Sequence, residues 1–356
     1  MWIEELALKN FRNYSDLRLN FSPGINGILG KNGSGKTSLV ESIGFLALSK
    51  SFRSSDEKET IRFGADFARI EAKLHRDVAR TYRIVLTPQG KKIEIDGAGI
   101  AKLSEMSGIC KIISFLPKDV ELFRDSPAVR RKFVDLNLSM LDPVYLKLLG
   151  EYGRFLTELR NLAKQENPDL VVAEVLSGQL AERGFDLQKR RIGFIDKLNE
   201  ELCDVLSELD GGEMKLCYHP SVNECEKERY IESVAKEVAR SLACRKGKIS
   251  IPGIHLDDLE AVYCGRDLGI YGSQGQNRLA VIALKLALVG LIEKKFHEKP
   301  IVILDDVLSE FDSEHRSKLM KMLGRMEQVF ITGTEIDFDE KTELYTVEEN
   351  QVRRNC

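Results

Sequence analysis

Apolar and polar residues alternate along "MWIEELALKNFRNYSDLRLNFS" in two short runs, the period of half-buried or edge strands. "GINGILG" then predicts a short buried strand, and "KTSLVESIGFLAL" a helix with an apolar face. Strand-like runs follow at 67–75 and 81–88, and "GKKIEIDGAG" has the glycine-bounded form of a hairpin. From about Pro127 the period changes. Leu148, Tyr152, Phe155, Leu159 and Leu162 recur at helical spacing, as do Ile195, Leu198, Leu202, Val205 and Leu209. The spacing lasts about two heptads, below the three or four that argue for a coiled coil. "KPIVILDDVLSEFD" and "EQVFITGTE" read as parallel strands buried on both faces, with the helix "SEHRSKLMKMLGRM" between them. The pattern predicts an α/β domain in two parts, 1–124 and 246–356, around a helical insert at 125–245.

Composition narrows the class. The chain has 356 residues, enough for two or three domains with a sizeable core. Its hydrophobic share of 43% and charged share of 31% are those of an ordinary globular protein. No apolar run approaches the roughly 20 residues needed to span a bilayer. The acidic, strand-like N-terminus is unlike a secretory signal. Seven cysteines, at 110, 203, 217, 225, 244, 264 and 356, are scattered with no Cys-x-x-Cys pair. A reducing cytoplasm is the expectation, without a disulfide framework or structural zinc. With a net charge of −3, any nucleic acid would have to be met by local basic patches.

"GKNGSGKT" fits G-x-x-x-x-G-K-[ST] and sits between the predicted strand and helix that such a loop requires. Gly30, Lys31, Asn32, Gly33, Ser34, Gly35, Lys36, Thr37 and Ser38 are therefore expected to wrap a nucleotide polyphosphate. Glycines let the backbone approach, and N–H groups at the helix start point at phosphate oxygens. Lys36 can reach the β- and γ-phosphates, and the Thr37 hydroxyl can sit on Mg²⁺. "IVILDDVLSEFD" places Asp305 and Asp306 at the C-terminal end of an apolar strand, the edge where open α/β sheets bind ligands. Asp305 is the expected Mg²⁺ partner, and Asp306 the group that polarises an attacking water.

A second polar loop, "GSQGQ" at 272–276, precedes an apolar helix 29 residues before Asp305. One reading is a capped helix, with Ser273 or Asn277 as N-cap. The other is the signature loop of an ABC-type ATPase, in which a Ser/Gly-rich helix start from one subunit caps the γ-phosphate held by another. On that reading Ser273, Gly275 and Gln276 contact nucleotide in trans.

The ordered set "LALKNFRNY", "GINGILGKNGSGKTSLVESI", "SKSFR", "FLPKDVELFRDSPAVRRKFVD", "YGSQGQNRLAVIALKLA", "PIVILDDVLSEFD" and "QVFITGT" resembles the RecF family of bacterial recombination-repair ATPases, which belongs with the SMC-like ABC ATPases. The resemblance implies an ABC-type P-loop head with a mixed or parallel sheet plus a helical second domain. It implies an ATP- and Mg²⁺-dependent dimer that binds DNA at gaps and at junctions of single and double strands, acting with RecO and RecR to load RecA. Carried over by motif, Arg12 and Asn13 fall at nucleotide-contacting positions, Ser309 and Asp312 in the D-loop, Asp119 near the Q-loop, and Thr332 where many ABC proteins have histidine. Asp306 stands where fast ABC proteins usually carry the longer glutamate, so slow hydrolysis that resets the dimer is expected. One departure stands out: "PGIHLDDL" keeps His255, Asp257 and Asp258 but has Leu256 where the family usually has arginine.

Three basic clusters are either solvated surface or phosphate contacts: Arg130, Arg131 and Lys132; Lys189, Arg190 and Arg191; and 245–248. His75, His219, His297 and His315 lack metal-ligand spacing. A nucleotide-binding subunit of a membrane transporter is the alternative function. An SMC- or RecN-type arm would need a far longer helical insert, and a non-hydrolysing scaffold is a further reading.

Overall fold

The computed structural model describes every residue except 55, 77, 101–109, 245–249, 335–341 and 356. The chain forms two compact units. The first comprises Met1–Val120, Glu208–Asp210 and Lys285–Cys356; the second comprises Glu121–Ser207 and Gly211–Leu284. The second unit thus runs past the expected boundary at 245 and takes in the 272–276 loop.

In the first unit, β1 (Trp2–Phe11) and β2 (Tyr14–Asn20) form the hairpin expected from the opening alternation. β3 (Gly24–Leu29) leads through the glycine-rich loop into α1 (Lys36–Leu48). β4 (Ala68–His75), β5 (Arg80–Thr87), β6 (Gly90–Ile95) and β7 (Ala98–Gly99) complete an antiparallel sheet of order β2-β1-β4-β5-β6-β7. β8 (Ile112–Phe115) belongs to the other sheet.

The second unit is mostly helical. α2 (Pro127–Leu141) and α3 (Pro143–Leu162) each start on a proline, which suits a first helical turn. α4 (Leu170–Glu208) has 39 residues, about 58 Å of helix. Its buried stripe of Leu180, Leu187, Phe194, Leu198 and Leu202 is longer than the two-heptad pattern suggested. β9 (Met214–His219) was not foreseen inside the insert. α5 (Lys227–Cys244) buries Tyr230, Val234, Val238 and Leu242, one residue per turn. β10 (Asp258–Tyr263) and β11 (Arg266–Asp267) join β9 in a small antiparallel sheet. A short α6 (Leu268–Tyr271) precedes α7 (Gln274–Phe296).

β12 (Ile301–Asp305), α8 (Ser313–Leu323) and β13 (Gln328–Gly333) return to the first unit. Both strands are buried at every position and pair in parallel, as expected. β14 (Glu343–Glu348) and β15 (Gln351–Arg354) close a sheet of order β15-β14-β3-β13-β12-β8. Its strands are parallel apart from β15. Leu6, Leu8 and Phe11 of the antiparallel sheet share one core with Leu39, Ile43 and Phe45 of α1 and Ile28, Ile303 and Phe330 of the parallel sheet. That core fixes α1 beneath the ends of β3 and β12, where the loop chemistry lies. The cysteines at 110, 203, 217, 225, 244 and 264 are free thiols. No helix among the described residues is long and apolar enough to cross a membrane.

Candidate nucleotide site

Between the end of β3 and the start of α1, Gly33 and Gly35 take φ values of 81° and 116°, left-handed angles that suit glycine. A Cβ at Gly30 would fall 2.4 Å from the Val347 carbonyl oxygen and 2.7 Å from Ser34 Oγ. α1 has no side-chain N-cap, which leaves its first N–H groups and its positive dipole end for an anion. Lys36 is 4% exposed and donates to the carbonyls of Gly30 at 2.7 Å and Lys31 at 3.1 Å. No carboxylate pairs with it among the described residues. The buried Ser34 hydroxyl has no hydrogen-bond partner among the described residues. An uncapped helix end, an orphan hydroxyl, a cation held only by carbonyls and a cradle closed to side chains fit a polyphosphate. Lys31, Asn32 and Gly33 form the exposed rim, and Ser38 is buried in the first turn of α1.

The loop is braced by residues that motif reading did not single out. Tyr14 Oη donates to the Gly35 carbonyl at 3.1 Å. The Asn350 N–H, in the tight β14–β15 turn, donates to the Ser34 carbonyl at 3.2 Å. Arg12 grips Glu41 of α1 with two N–H groups, at 2.7 and 3.0 Å, and donates to the Glu59 carbonyl at 2.8 Å. The guanidinium expected at the nucleotide thus holds the phosphate-loop helix through a fully buried carboxylate. The one acidic residue of α1 was the available signal. Asn13 is exposed beside it.

Asp305 ends β12 opposite Thr332 of β13. Its Oδ1 accepts from Thr332 Oγ1 at 2.7 Å and from Thr37 Oγ1 at 3.1 Å. The Thr332 hydroxyl in turn accepts the Asp306 N–H at 2.9 Å. Thr332, fully buried, therefore ties the acidic pair together through its one hydroxyl. Burial, and secondarily the Asp306 charge, pushes the Asp305 carboxyl above its ordinary range, while the two hydroxyls oppose the shift. Thr37 and Asp305 offer hard oxygens that would hold Mg²⁺, which supplies charge compensation on transferring phosphates when bound. Asp306 takes a left-handed φ of 53°. No donor among the described residues occupies its carboxylate, which suits a group that orients water.

The remaining expected positions are engaged locally. Asp119 accepts from the Leu116 N–H at 2.7 Å and pairs with Lys285, a buried cation of α7 that also donates to the Ser114 carbonyl. Ser309 Oγ donates to the Asp306 carbonyl at 3.2 Å. Asp312 caps α8 by accepting the N–H groups of Glu314 and His315, both at 3.0 Å. His75, His219 and His315 each pair with one carboxylate.

At the start of α7, Ser273 and Gln276 exchange hydrogen bonds. The Gln276 N–H donates to Ser273 Oγ at 3.2 Å, and the Ser273 N–H to Gln276 Oε1 at 2.8 Å, a capping box. Asn277, by contrast, turns its amide to the carbonyls of Leu268, Gly272 and Ser273. The capped-helix reading therefore holds for Ser273. It does not account for Gly275, where a Cβ would meet only Ser273 Oγ, at 4.0 Å. Nothing among the described residues needs that position small.

Of the basic triplets expected as DNA contacts, the structure removes Arg191. Arg191 is 1% exposed, and its guanidinium donates to Tyr145 Oη, the Ile254 carbonyl, Asp257 and Asp135. It is a core residue and cannot meet a phosphate. Arg130 forms a two-point pair with Asp258, with both distances 2.8 Å. Arg131 donates to the Asp257 carbonyl, and Arg190 pairs with Asp142. Lys132 and Lys189 stay exposed. The cluster at 245–248 lies outside the described residues. The signal missed was periodic: Arg191 falls on the buried stripe of α4, four residues after Leu187 and three before Phe194.

Comparison with known proteins agrees with this geometry. The family described as the RecF/RecN/SMC N terminal domain matches residues 2–354. The DNA replication and repair protein RecF of Lactobacillus johnsonii is 36% identical over 350 residues, covering 95% of this chain and 93% of that protein. Its counterpart in Halalkalibacterium halodurans is 35% identical over 373 residues, covering 99% and 100%. Among solved structures, the recombination mediator protein RecF-ATP in the RecFOR pathway aligns with a TM-score of 0.92 at 27% identity, covering 100% of this chain and 98% of that one. An Smc head domain from Pyrococcus furiosus shares the fold, with a TM-score of 0.57 at 18% identity and coverage of 99% and 96%. With the phosphate loop, acidic strand end and signature loop present in the family's order, this chain belongs to the RecF family.

Proposed function

We propose that the protein is an ATP-dependent DNA-binding protein of replication and recombinational repair. Residues 30–38 hold ATP, and Mg²⁺ sits on Thr37 and Asp305. Ser273, Gly275 and Gln276 of a second copy cap the γ-phosphate. The dimer engages gapped or junction DNA in the cytoplasm and acts with RecO and RecR to load RecA. Hydrolysis through Asp306 is slow and resets the dimer.

The observation that carries this reading is the pairing of a furnished phosphate loop with a polar helix start that has no internal task for Gly275. Ser273, Gly275 and Gln276 are all exposed. A helix N-terminus carrying a serine and lacking a side chain at Gly275 suits close approach to a phosphate held elsewhere. The names of the full-length relatives support the repair assignment, and the transporter alternative is not favoured by them.

Sedimentation with ATP and Mg²⁺, with and without gapped duplex, tests the proposal. Wild type should dimerise. Lys36→Ala should neither bind ATP nor dimerise. Ser273→Arg should bind ATP as a monomer and fail to dimerise. Loss of ATP binding by monomeric Ser273→Arg would show that the signature serves its own chain's nucleotide.

A further inference from the structure

Arg130, Arg131, Arg190 and Arg191 are tied into the second unit's own structure, but the first unit carries cations with no such tie. Three gather at one end of the β1–β4 ladder in the first unit's antiparallel sheet. Lys9 of β1 stands opposite Arg69 of β4. Leu8, Ala68 and Ile70 are buried, so the strand alternation turns Lys9 and Arg69 to the face away from the core. Like charges opposite one another on a sheet face repel, and the one carboxylate in register with Lys9, Asp16 of β2, offsets only part of that charge. Arg62 adds a third: its N–H donates to the Asn10 carbonyl at 2.8 Å, next to the Phe11–Ile61 bridge. None of the three forms an ion pair among the described residues. The nearby carboxylates, Asp16 opposite Lys9 and Asp66 in the adjoining turn, do not pair with them either.

The turn after Arg62 closes with the Ala65 N–H on the Arg62 carbonyl at 2.9 Å, and Gly64 supplies its φ of 80°. It presents Phe63 at 104% exposure. A lone surface phenyl carries no message. A phenyl next to Arg62, in a turn that the Arg62 N–H ties to the end of β1 beside Lys9, has with these excess cations the composition of a platform for single-stranded nucleic acid, where bases stack and phosphates meet charge.

We infer that Phe63, with Lys9, Arg62 and Arg69, is a contact site for the single-stranded part of a DNA substrate. One base stacks on the phenyl ring while neighbouring phosphates neutralise the cations. Duplex DNA keeps its bases stacked on each other and offers the ring no free face. The inference rests on the DNA-binding reading above.

Fluorescence anisotropy in ATP and Mg²⁺ tests it, using a gapped duplex and a blunt duplex. The proteins are wild type, Phe63→Ala and the triple variant Lys9→Ser, Arg62→Ser, Arg69→Ser. ATP binding and melting temperature serve as folding controls and should match wild type. Phe63→Ala should bind the gapped duplex about five- to a hundredfold more weakly and the blunt duplex unchanged. The triple variant should lower the slope of log K against log salt on the gapped duplex by about 2. Wild-type affinity and slope in both variants would overturn the site. Equal losses by Phe63→Ala on both DNAs would overturn stacking on a single strand. Failure of wild type to bind either DNA would instead sink the DNA-binding reading on which the site depends.

Discussion

The Thr332 hydroxyl spans the acidic strand end, donating to Asp305 at 2.7 Å and accepting the Asp306 N–H at 2.9 Å. One buried hydroxyl thus sets the position of the metal-binding carboxylate and of the residue assigned to the water. We predict that Thr332→Val, equal in shape but without the hydroxyl, will lower stability by about 1–3 kcal/mol, because a buried acceptor and donor lose their partner. ATP hydrolysis should fall at least as far as ATP affinity, and Thr332→Ser should restore both. A Thr332→Val protein with wild-type turnover would remove this residue from the site.

Asp305 is 3% exposed, and its folded-state carboxyl is raised by burial. The folded state therefore holds its proton more tightly than the unfolded chain. Stability falls as pH rises from the ordinary carboxylate range through the raised value, and the cost persists at neutral pH. Asp305→Asn should stabilise the nucleotide-free protein by about 1 kcal/mol, as removal of strained functional groups often does. The same variant should lose the thermal stabilisation that Mg²⁺ with ATP confers on wild type. Calorimetry with and without Mg²⁺-ATP reads both effects. A less stable nucleotide-free variant would show that the ionised carboxylate is a net structural asset.

The legible parts were local. Gly30 through Thr37 and the Asp305–Asp306 pair lie on contiguous strand–loop–helix segments, where spacing and backbone chemistry fix the geometry. Parallel pairing of β12 with β13 followed from unbroken apolar runs. Long-range partners were not legible. Nothing near Arg12 in sequence reveals that two of its N–H groups will go to Glu41, and nothing near Ser34 points to the turn at Asn350. Three basic residues in a row look alike as letters. Only the 3–4 period of α4, carried back from Phe194 to Leu187, separates buried Arg191 from exposed Lys189. The Asp257–Asp258 pair, met as a family motif, holds Arg191 and Arg130 respectively.

That assignment makes a stability prediction. Arg191 is bonded to Asp135, Asp257, Tyr145 and the Ile254 carbonyl. Removing one member of a buried charged network leaves the others uncompensated. Arg191→Ala should cost about 3–5 kcal/mol in chemical denaturation, whereas exposed Lys189→Ala should stay within about 0.5 kcal/mol. If Arg191→Ala kept wild-type stability and lost DNA affinity alone, it would be a nucleic-acid contact after all.

His255 gives the second unit an acid-sensitive point. Its Nδ1 lies 2.7 Å from Tyr152 Oη. Burial first, then the nearby Arg160 charge, lowers its pKa to about 4. In the unfolded chain the imidazole titrates near 6.5, so between the two values the unfolded state binds the extra proton. Stability from this residue is therefore complete above pH ~6.5 and is lost as pH falls through about 4. Solvent screening of the partly open site limits the loss to roughly 1–2 kcal/mol. Urea midpoints for wild type should drop over that window, and His255→Gln, which cannot take up a proton, should flatten the drop. Identical pH profiles for the two proteins would place the acid sensitivity in other groups.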